Sequence, residues 1–324
     1  MKLLVVCQYF YPEQFRVNDI CFELAAQGHE VTVLTGLPNY PKGIIPKEYR
    51  RFRKRKETIR GVKIIRSWLV GRSGGSLRLA MNYLSFAISS SLKALFLKKD
   101  FDIILVYQLS PVTMALPAMI VNCMSKKPLV LYCHDLWPES AVAAAGIDKK
   151  GVIYRILLAI SKWIYTSADY IFTSSKQFEQ YFRDVLHIKK NLIHLPVYAE
   201  ALFENIGGKE KCNDELTNLV FAGNIGEAQS VETIIYAANE LKNYPDIRFH
   251  IVGDGSSRNK CEALAKELGL TNVVFYGQHP ITEMPRFYEM ADAFLVTLKA
   301  SKFISYTLPN KVQSYMAAGK PIIG

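Results

Sequence analysis

The sequence has few of the residues that define disulfide-rich, zinc-binding or redox proteins. Only six cysteines occur in 324 residues, at Cys7, Cys21, Cys123, Cys133, Cys212 and Cys261. No two of them have the spacing of a zinc or dithiol motif, so buried thiols in a reducing compartment are the simplest interpretation. The N-terminus has a short apolar run but no small-residue cleavage site before Pro12, which argues against a signal peptide.

Long uninterrupted hydrophobic runs are also missing. The stretch 101–124 approaches the length of a membrane span, but Gln108, Pro111 and Pro117 interrupt it. This pattern predicts a strand followed by a helix. Half of the residues are hydrophobic, 19 are Gly and 14 are Pro, which is typical of a globular protein. A length of 324 residues favours two domains.

Acidic residues are scarce in the first half of the chain. Residues 1–190 contain 28 Lys and Arg against 14 Asp and Glu, and residues 191–324 contain 12 against 15, which accounts for all 40 basic and 29 acidic residues. The densest basic run, at 47–66, has ten basic and two acidic residues. We therefore expect the first half to dock on an anionic membrane surface. The neighbouring stretch 76–99 is apolar with basic ends, so it forms either an interfacial helix or a helix that covers the first sheet.

Apolar runs of strand length alternate with helix-period stretches along the whole chain. KLLVVCQ, a helix closed by Gly28 and EVTVLT form the first strand–helix–strand unit, and the alternation starts again with NLVFAG after a polar stretch. This pattern predicts an α/β fold with two doubly wound parallel sheets. We assign residues 1–196 to the first domain, 197–216 to a linker and 217–324 to the second domain.

Two glycine-containing turns follow predicted strands in the second half. The turn GNIG at 223–226 precedes a helix, so its backbone amides either cradle a phosphate or only form a tight turn. The turn GDG at 253–255 poses the same choice, and turn geometry with a solvated Asp254 is the simpler interpretation. Ligands of doubly wound sheets bind beyond the carboxyl ends of the strands, where both turns lie.

The C-terminal stretch TLPNKVQSYMAAGKPIIG predicts a helix that opens at Pro309 and closes at Gly319, followed by a strand from Pro321. Lys311 then falls in the first helical turn, where the macrodipole disfavours a cation by about 0.3–1 kcal/mol. A bound anion would offset this unfavourable interaction of Lys311 with the helix macrodipole. We prefer that interpretation to an exposed lysine whose charge is screened by salt. Because such a strand normally leads into a covering helix, we also expect the chain to be incomplete after Gly324.

His134 and Asp135 follow the predicted buried strand LVLYC directly, so we expect their side chains to emerge at its carboxyl end. A histidine beside a carboxylate orients a hydroxyl or phosphate oxygen, or acts as an acid or base. Glu139 lies within reach of the same ligand. His279 follows a strand in the second half and borders the site.

Six segments, in this order, resemble bacterial retaining glycosyltransferases of family four: GHEVTVLTGLPNYPKG, HDLWPES, FAGNIGEAQSVE, IVGDG, VVFYGQHP and PNKVQSYMAAGKPIIG. Within that family they are similar to the branch that builds capsule, exopolysaccharide and O-antigen units and includes N-acetyl-L-fucosamine transferases. The resemblance implies a GT-B fold, an acceptor bound by the N-terminal domain, a nucleotide-sugar donor bound by the C-terminal domain, and no metal ion or cofactor. It also implies an acceptor carried on undecaprenyl diphosphate, and hence a cytoplasmic protein peripheral on the inner face of the plasma membrane.

The sequence departs from the family pattern at four positions. The Arg and Lys that the wider family places on the donor diphosphate are Asn224 and Gln229 here. Two family glutamates that lie eight positions apart are Tyr306 and Ser314. Since the second glutamate usually binds the donor ribose, Ser314 imitates it weakly. Lys311 is the cation that remains nearby.

These features predict transfer of a sugar from a UDP-sugar to a lipid-linked acceptor with retained anomeric configuration. We expect the diphosphate on the turn 223–226 and Lys311, the uracil near the loop 277–281, and Ser314 near the ribose. The expected catalytic residues are His134, Asp135 and Glu139, and the expected donor-binding residues are Gly223, Asn224, Gly226, Gln229, Gly253, Asp254, Gln278, His279, Ile281, Lys311 and Ser314. The resemblance implies front-face transfer, in which the donor phosphate helps to deprotonate the acceptor.

Two other functions remain open. A UDP-sugar 2-epimerase shares the GT-B fold and isomerises its sugar without an acceptor. A nucleic-acid-binding protein would use the basic run, but only Tyr49 and Phe52 could stack on bases there and no nucleic-acid motif accompanies them. We therefore expect no nucleic-acid partner.

Overall fold

The computed structural model describes residues 1–51, 53–73, 75–204, 206, 216–300 and 306–324, without the side chains of 143–145. The chain divides into two compact units, Met1–Leu195 and Pro196–Gly324. The start of the predicted linker belongs to the second unit, where Phe203 and Ile206 are buried in the core. Residues 205 and 207–215 of that linker lie outside the described residues.

The first unit is built on an eight-stranded sheet, counted over the described part of the chain. The strands are β1 (Lys2–Val6), β2 (Glu30–Gly36), β3 (Lys56–Ile59), β4 (Val62–Ser67), β5 (Ile103–Gln108), β6 (Leu129–Cys133), β7 (Tyr170–Thr173) and β8 (Leu192–His194). The helices are α1 (Arg16–Ala26), α2 (Ser76–Leu95), α3 (Leu116–Ser125), α4 (Glu139–Ala145), α5 (Val152–Ser167) and α6 (Lys176–Asp184). The strand order is β3-β4-β2-β1-β5-β6-β7-β8, and every pair except β3–β4 is parallel. The predicted parallel sheet is thereby confirmed.

The direction of winding changes at β1, which has β2 on one side and β5 on the other. Strands inside such a sheet are covered on both faces, and all five residues of β6 are buried accordingly. Doubly wound sheets bind their ligands beyond the carboxyl ends of the strands at the point where the winding reverses. A ligand site is therefore expected at the residues that follow β1, β5 and β6.

The two apolar stretches of the first half form elements of this unit. The stretch 101–124 contains β5 and then α3, as the interrupting residues predict. The stretch 76–99 contains α2, which packs against β2, β4 and α3, so it does cover the sheet. Among the residues described, no helix has both the length and the apolar character needed to cross a bilayer.

The basic run 47–66 contains an element that its sequence pattern did not reveal. Strand β3 pairs antiparallel with β4 at the edge of the sheet. Arg66 on β4 is completely buried, with its Nη2 2.8 Å from Oε2 of Glu57 and its guanidinium 5.0 Å from the ring centroid of Tyr49. Arg66 is therefore a core residue and does not contribute to the surface charge of the basic run.

The second unit is built on a five-stranded sheet, again counted over the described residues. The strands are β9 (Thr217–Ala222), β10 (Ile247–Val252), β11 (Val273–Gly277), β12 (Ala293–Leu295) and β13 (Ile322–Ile323). The helices are α7 (Glu232–Glu240), α8 (Arg258–Glu267), α9 (Met284–Met290) and α10 (Asn310–Ala317). The order β11-β10-β9-β12-β13 is parallel throughout, and the winding reverses between β9 and β12. The second predicted parallel sheet is confirmed as well.

Tyr315 fixes α10 on the carboxyl end of β9. Its buried hydroxyl accepts a hydrogen bond from the amide of Ala222 at 2.8 Å and donates one to the carbonyl of Ala222 at 3.0 Å. Its ring stacks on Phe294 of β12, with the ring centroids 4.1 Å apart. The helix begins at Asn310, one residue later than predicted, because Pro309 has an extended ψ of 131°.

Candidate active site

The glycine turn after β9 lies at the point where the winding of the second sheet reverses. Gly223 has a φ of 145° and Gly253, in the turn after β10, has a φ of 141°. A Cβ atom on Gly253 would lie 1.8 Å from the carbonyl oxygen of Gly223. Only glycine permits both the backbone conformation and this close approach.

Alternate amides of the turn 223–226 have different roles. Those of Gly223 and Ile225 donate to backbone carbonyls of the neighbouring turn region, each at 2.9 Å. Those of Asn224 and Gly226 donate to no acceptor among the residues described. Unpaired amides in a turn at the carboxyl end of a strand are available to an anionic ligand.

Lys311 lies directly against this turn. A Cβ atom on Gly223 would be 3.0 Å from Nζ of Lys311, and Nζ lies 3.6 Å from the ring centroid of Phe221. The ammonium group is buried and has no hydrogen-bond partner in the described part of the chain. Burial lowers the pKa of Lys311 from 10.5 to about 7. A buried ammonium group against a turn that contains two unpaired amides indicates the position of an anionic ligand.

Ser314 lies one helical turn further along α10. It is buried, and its Oγ donates to Oε2 of Glu200 at 2.9 Å. A carboxylate from another part of the chain thus stands beside the position where the resembling family has its second glutamate. Carboxylates bind ribose hydroxyls in doubly wound domains, so Glu200 is a candidate for that contact. No sequence signal points to this pair, because 114 positions separate its members.

The loop after β11 belongs to the same edge of the sheet. The amide of Gly253 donates to the carbonyl of Gly277 at 2.8 Å, which ties this loop to the turn after β10. Gln278 and Ile281 in the loop have exposed side chains. The structure thus brings the loop 277–281 and both glycine turns to the carboxyl ends of three adjacent strands.

Asp254 and His279 already have local partners. Asp254 is exposed in its turn, and its Oδ1 accepts a hydrogen bond from the amide of Gly255 at 2.8 Å. This geometry matches the turn interpretation of GDG. Nδ1 of His279 lies 2.9 Å from Oε2 of Glu283, so the imidazole is oriented within its own loop.

His134 occupies the corresponding edge of the first sheet. Its ring lies over Tyr107 of β5 and Tyr132 of β6, with centroid distances of 4.1 Å and 4.0 Å. Nε2 is buried and has no hydrogen-bond partner among the described residues. Burial, and to a smaller extent the charge of Arg16, lowers the pKa of His134 to about 3. The imidazole is therefore neutral near pH 7, which suits hydrogen bonding to a hydroxyl, and its role as an acid or base stays a prediction.

Asp135 is held by internal hydrogen bonds, and its catalytic role stays a prediction. Its two carboxylate oxygens accept hydrogen bonds from the hydroxyls of Ser110 and Ser140. Burial raises the pKa of this carboxyl group. Asp135 therefore holds the segment after β6 to the segment after β5.

Glu139 is also held by internal partners, and its contact with the ligand stays a prediction. Its side chain is buried, and its Oε1 accepts from the hydroxyls of Tyr154 at 2.8 Å and Tyr181 at 3.1 Å. Its other oxygen pairs with Lys149. Three donors already occupy this carboxylate, which anchors the start of α4.

Arg16 is a candidate that the sequence analysis missed. It is the first residue of α1, beyond the carboxyl end of β1, and its charge reaches His134. A cation in the first turn of a helix that follows a strand is the same signal that singled out Lys311. Applied to α1, that signal would have identified Arg16.

Glu13 is a buried carboxylate beyond the same end of β1. Its Oε1 accepts hydrogen bonds from the amides of Asn39 at 2.7 Å and Tyr40 at 2.5 Å. Burial outweighs these bonds and raises the pKa of Glu13 to about 7. Its role is to hold the segment after β2.

Comparison with known families gives two matches. The glycosyl transferase 4-like domain matches residues 14–196, and the glycosyl transferases group 1 domain matches residues 217–324. WcaI of Escherichia coli K12, whose name assigns it to colanic acid biosynthesis as a glycosyl transferase, is 27% identical over 337 aligned residues. That alignment covers 98% of this chain and 82% of WcaI.

Solved structures share the fold over 99% of this chain. Sucrose-phosphate synthase from Thermosynechococcus elongatus has a TM-score of 0.71 at 17% identity, with 80% of its chain covered. HepE of Anabaena in complex with UDP-glucose has a TM-score of 0.62 at 14% identity, with 79% of its chain covered. At these identities the likeness concerns the fold alone.

The first family match alone spans more than half of the 324 residues, and the second continues to the end of the chain. The resemblance inferred from the six sequence segments is thereby confirmed, together with the two α/β domains of the GT-B fold. The chain belongs to the glycosyltransferases that combine a glycosyl transferase 4-like domain with a group 1 domain.

Proposed function

We propose that this protein transfers a sugar from a UDP-sugar to a lipid-linked acceptor, with retained anomeric configuration, in the assembly of a bacterial capsule, exopolysaccharide or O-antigen. Lys311 carries the proposal, because its buried ammonium group lacks a hydrogen-bond partner in the described residues and lies against the turn that contains two unpaired amides. A nucleoside diphosphate supplies the negative charge that this arrangement lacks. The UDP-glucose bound by HepE and the polysaccharide pathway in the name of WcaI support this assignment.

The donor then extends from Lys311 along the carboxyl edge of the second sheet. The diphosphate contacts the turn 223–226 and Lys311, and the ribose hydroxyls contact Glu200 beside Ser314. The uracil lies near the loop 277–281. Glu200 thus replaces, from a different segment, the carboxylate that Ser314 does not provide.

His134 serves the acceptor hydroxyl. Because the imidazole is neutral near pH 7, its contribution is a positioned hydrogen bond. Asp135 and Glu139 are both occupied by internal donors, so neither is free to attack as a nucleophile. This supports front-face transfer, with the donor phosphate as the base and electrostatic stabilisation by Lys311 and the turn amides.

The acceptor lipid places the protein on the cytoplasmic face of the plasma membrane in this proposal. Eight cations of the run 47–66 have exposed side chains: Lys47, Arg50, Arg51, Arg53, Lys54, Lys56, Arg60 and Lys63. Each basic residue near an anionic leaflet contributes about 1 kcal/mol. Even without Arg66, these charges are sufficient for peripheral binding.

The central test is the substitution Lys311→Met, assayed by UDP release with donor and acceptor present. We expect the KM for the donor to rise about tenfold or more, since one charged contact to the diphosphate is lost. We also expect the free energy of unfolding to increase by about 1–3 kcal/mol, because an unpaired buried ammonium group is removed. His134→Ala should lower kcat with little change in the donor KM.

Lys242→Met is the matched control, since Lys242 is exposed on the same unit. Unchanged donor KM in Lys311→Met, together with near wild-type turnover in His134→Ala, would refute the site. Isomerisation of the donor sugar without any acceptor would instead show a UDP-sugar 2-epimerase.

A further inference from the structure

Helix α2 has an apolar face that none of the described residues of its unit covers. Its inner face packs on the sheet through residues such as Asn82, Phe86 and Ser90. Its outer face carries exposed large apolar side chains at intervals of three or four positions. Phe96 follows directly after the last of them. They are Leu77, Met81, Leu84, Ile88, Leu92, Leu95 and Phe96, from 40% to 86% exposed. We call this set the α2 stripe. A row of this length exceeds the scattered apolar residues normal on a soluble surface.

A groove runs along one side of the α2 stripe. Leu84, Ile88 and Leu92 of α2 face Leu116 and Ile120 of α3 across a space of about 330 Å³. The side chains that line it are aliphatic, with Ser91 and Thr113 as the hydroxyl-bearing exceptions. A cavity of this chemistry accepts hydrocarbon and offers little to a polar ligand.

Only basic charges border the α2 stripe along its own segment. Residues 76–99 contain no Asp or Glu but include Arg78, Lys93, Lys98 and Lys99. Lys93 donates to the carbonyl of Arg66, which brings the end of α2 beside the basic β3–β4 hairpin. An apolar surface edged by cations is complementary to lipid chains beneath anionic headgroups.

Helix α5 also carries exposed apolar side chains. Its side chains Val152, Ile153, Ile156 and Trp163 are exposed. Both α2 and α5 contact the turn 112–115, so they flank the same segment of the unit. Tryptophan is favoured where hydrocarbon meets headgroups, which fits a position at the edge of an interface.

We propose that α2 lies in the interface of an anionic lipid bilayer, with the α2 stripe inserted and the α2–α3 groove holding a lipid chain. This proposal rests on the proposed function, because that function gives the protein a lipid-linked acceptor. The α2 stripe, the α2–α3 groove and the bordering cations together favour an anionic lipid bilayer as the partner of this face. The exposed cations of 47–66 then add attraction, while the stripe supplies the insertion.

The test is co-sedimentation of the full chain with phosphatidylcholine vesicles, with and without phosphatidylglycerol, in the absence of any sugar donor. The double variant Leu84→Ser, Leu92→Ser should lower the partition coefficient onto anionic vesicles about tenfold or more. Val185→Ser, Ile193→Ser is the matched control, because both side chains are aliphatic and exposed elsewhere on the first unit. Unchanged binding by the stripe variant would overturn the proposal.

A second measurement does not depend on how the serine variant folds. Relative to the wild type, whose three tryptophans include the exposed Trp163, Leu92→Trp should gain blue-shifted emission that brominated phospholipid quenches. Absence of quenching at saturating vesicles would overturn the proposal, as would a lipid-free dimer that the serine pair dissociates, since a second copy would then cover the stripe. UDP release with a water-soluble acceptor should persist in the stripe variant, so failure of docking remains distinguishable from failure of the transferase assignment.

Discussion

Glu13 links the stability of the first unit to pH. Burial raises the pKa of its carboxyl group from 4.5 to about 7, so the folded state holds this proton more tightly than the unfolded state. Its stabilising contribution is therefore complete below about pH 4.5 and is lost as the pH rises through about 7. The amides of Asn39 and Tyr40 keep an acceptor in either protonation state.

We expect Glu13→Gln to remove this dependence. At about pH 8 the variant should be more stable than the wild type by about 1–3 kcal/mol, and near pH 4 the two should differ little. Urea unfolding at both pH values measures the difference. Glu30→Gln is the control, since Glu30 is exposed. A variant that is less stable at about pH 8 would show that the charged form of Glu13 is favourable.

Lys311 and Glu200 show how far a site is predictable residue by residue. Lys311 was predictable because a cation in the first turn of a helix breaks a local electrostatic rule. Glu200 was not predictable, because a glutamate in a polar segment breaks no such rule. Its candidate role follows only from its contact with Ser314, which is 114 positions away in the sequence. The internal partners of Asp135 and Glu139 were unpredictable for the same reason, since hydroxyls that bond to them come from other segments.

The position of α10 depends on the hydroxyl of Tyr315. Replacing it with phenylalanine keeps the stacked ring but leaves the buried amide and carbonyl of Ala222 without this partner. We expect Tyr315→Phe to lower the free energy of unfolding by about 1–3 kcal/mol. Because Ala222 precedes Gly223 and Lys311 starts the same helix, the KM for the donor should also rise.

Two measurements separate these effects of Tyr315→Phe: thermal unfolding of the free protein, and donor KM well below the melting temperature. Tyr236→Phe, on an exposed part of α7, serves as control. Loss of stability without any change in donor KM would mean that the hydroxyl supports the fold and does not position Lys311.

Regular elements were predictable where a hydrophobic period marks them, as in β6, whose five residues are all buried. Strand β3 was not, because at the sheet edge its sequence KETI looks like part of a charged loop. The buried Arg66 was hidden similarly, since only the pairing of β3 with β4 brings Glu57 to its guanidinium. The outer face of α2 was ambiguous, because the sequence pattern of an apolar helix surface is the same whether a sheet or a lipid covers that surface.

At the scale of the whole molecule, the uneven charge should give membrane binding a graded response to salt. Vesicle-bound protein should decrease as ionic strength rises from about 0.1 M to about 1 M, because screening shortens the reach of the exposed cations. A residual fraction should persist at high salt, since insertion of the α2 stripe is not electrostatic. Co-sedimentation across this range measures both parts. Binding that is independent of salt, or absent throughout, would contradict the electrostatic contribution.

The contact between Gly223 and Gly253 limits where donor preference can change during evolution. Since a single added carbon would collide with a carbonyl oxygen 1.8 Å away, every substitution at Gly253 must separate the ends of β9 and β10. The proposed phosphate site is thus built on backbone atoms of Gly223 and Gly253, and Gly253 does not tolerate substitution. New sugar or nucleotide preferences can arise only from the side chains around it, such as Asn224, Gln229 and those of the loop 277–281. Random mutagenesis aimed at altered donors should therefore recover its active variants from that rim and none from Gly253.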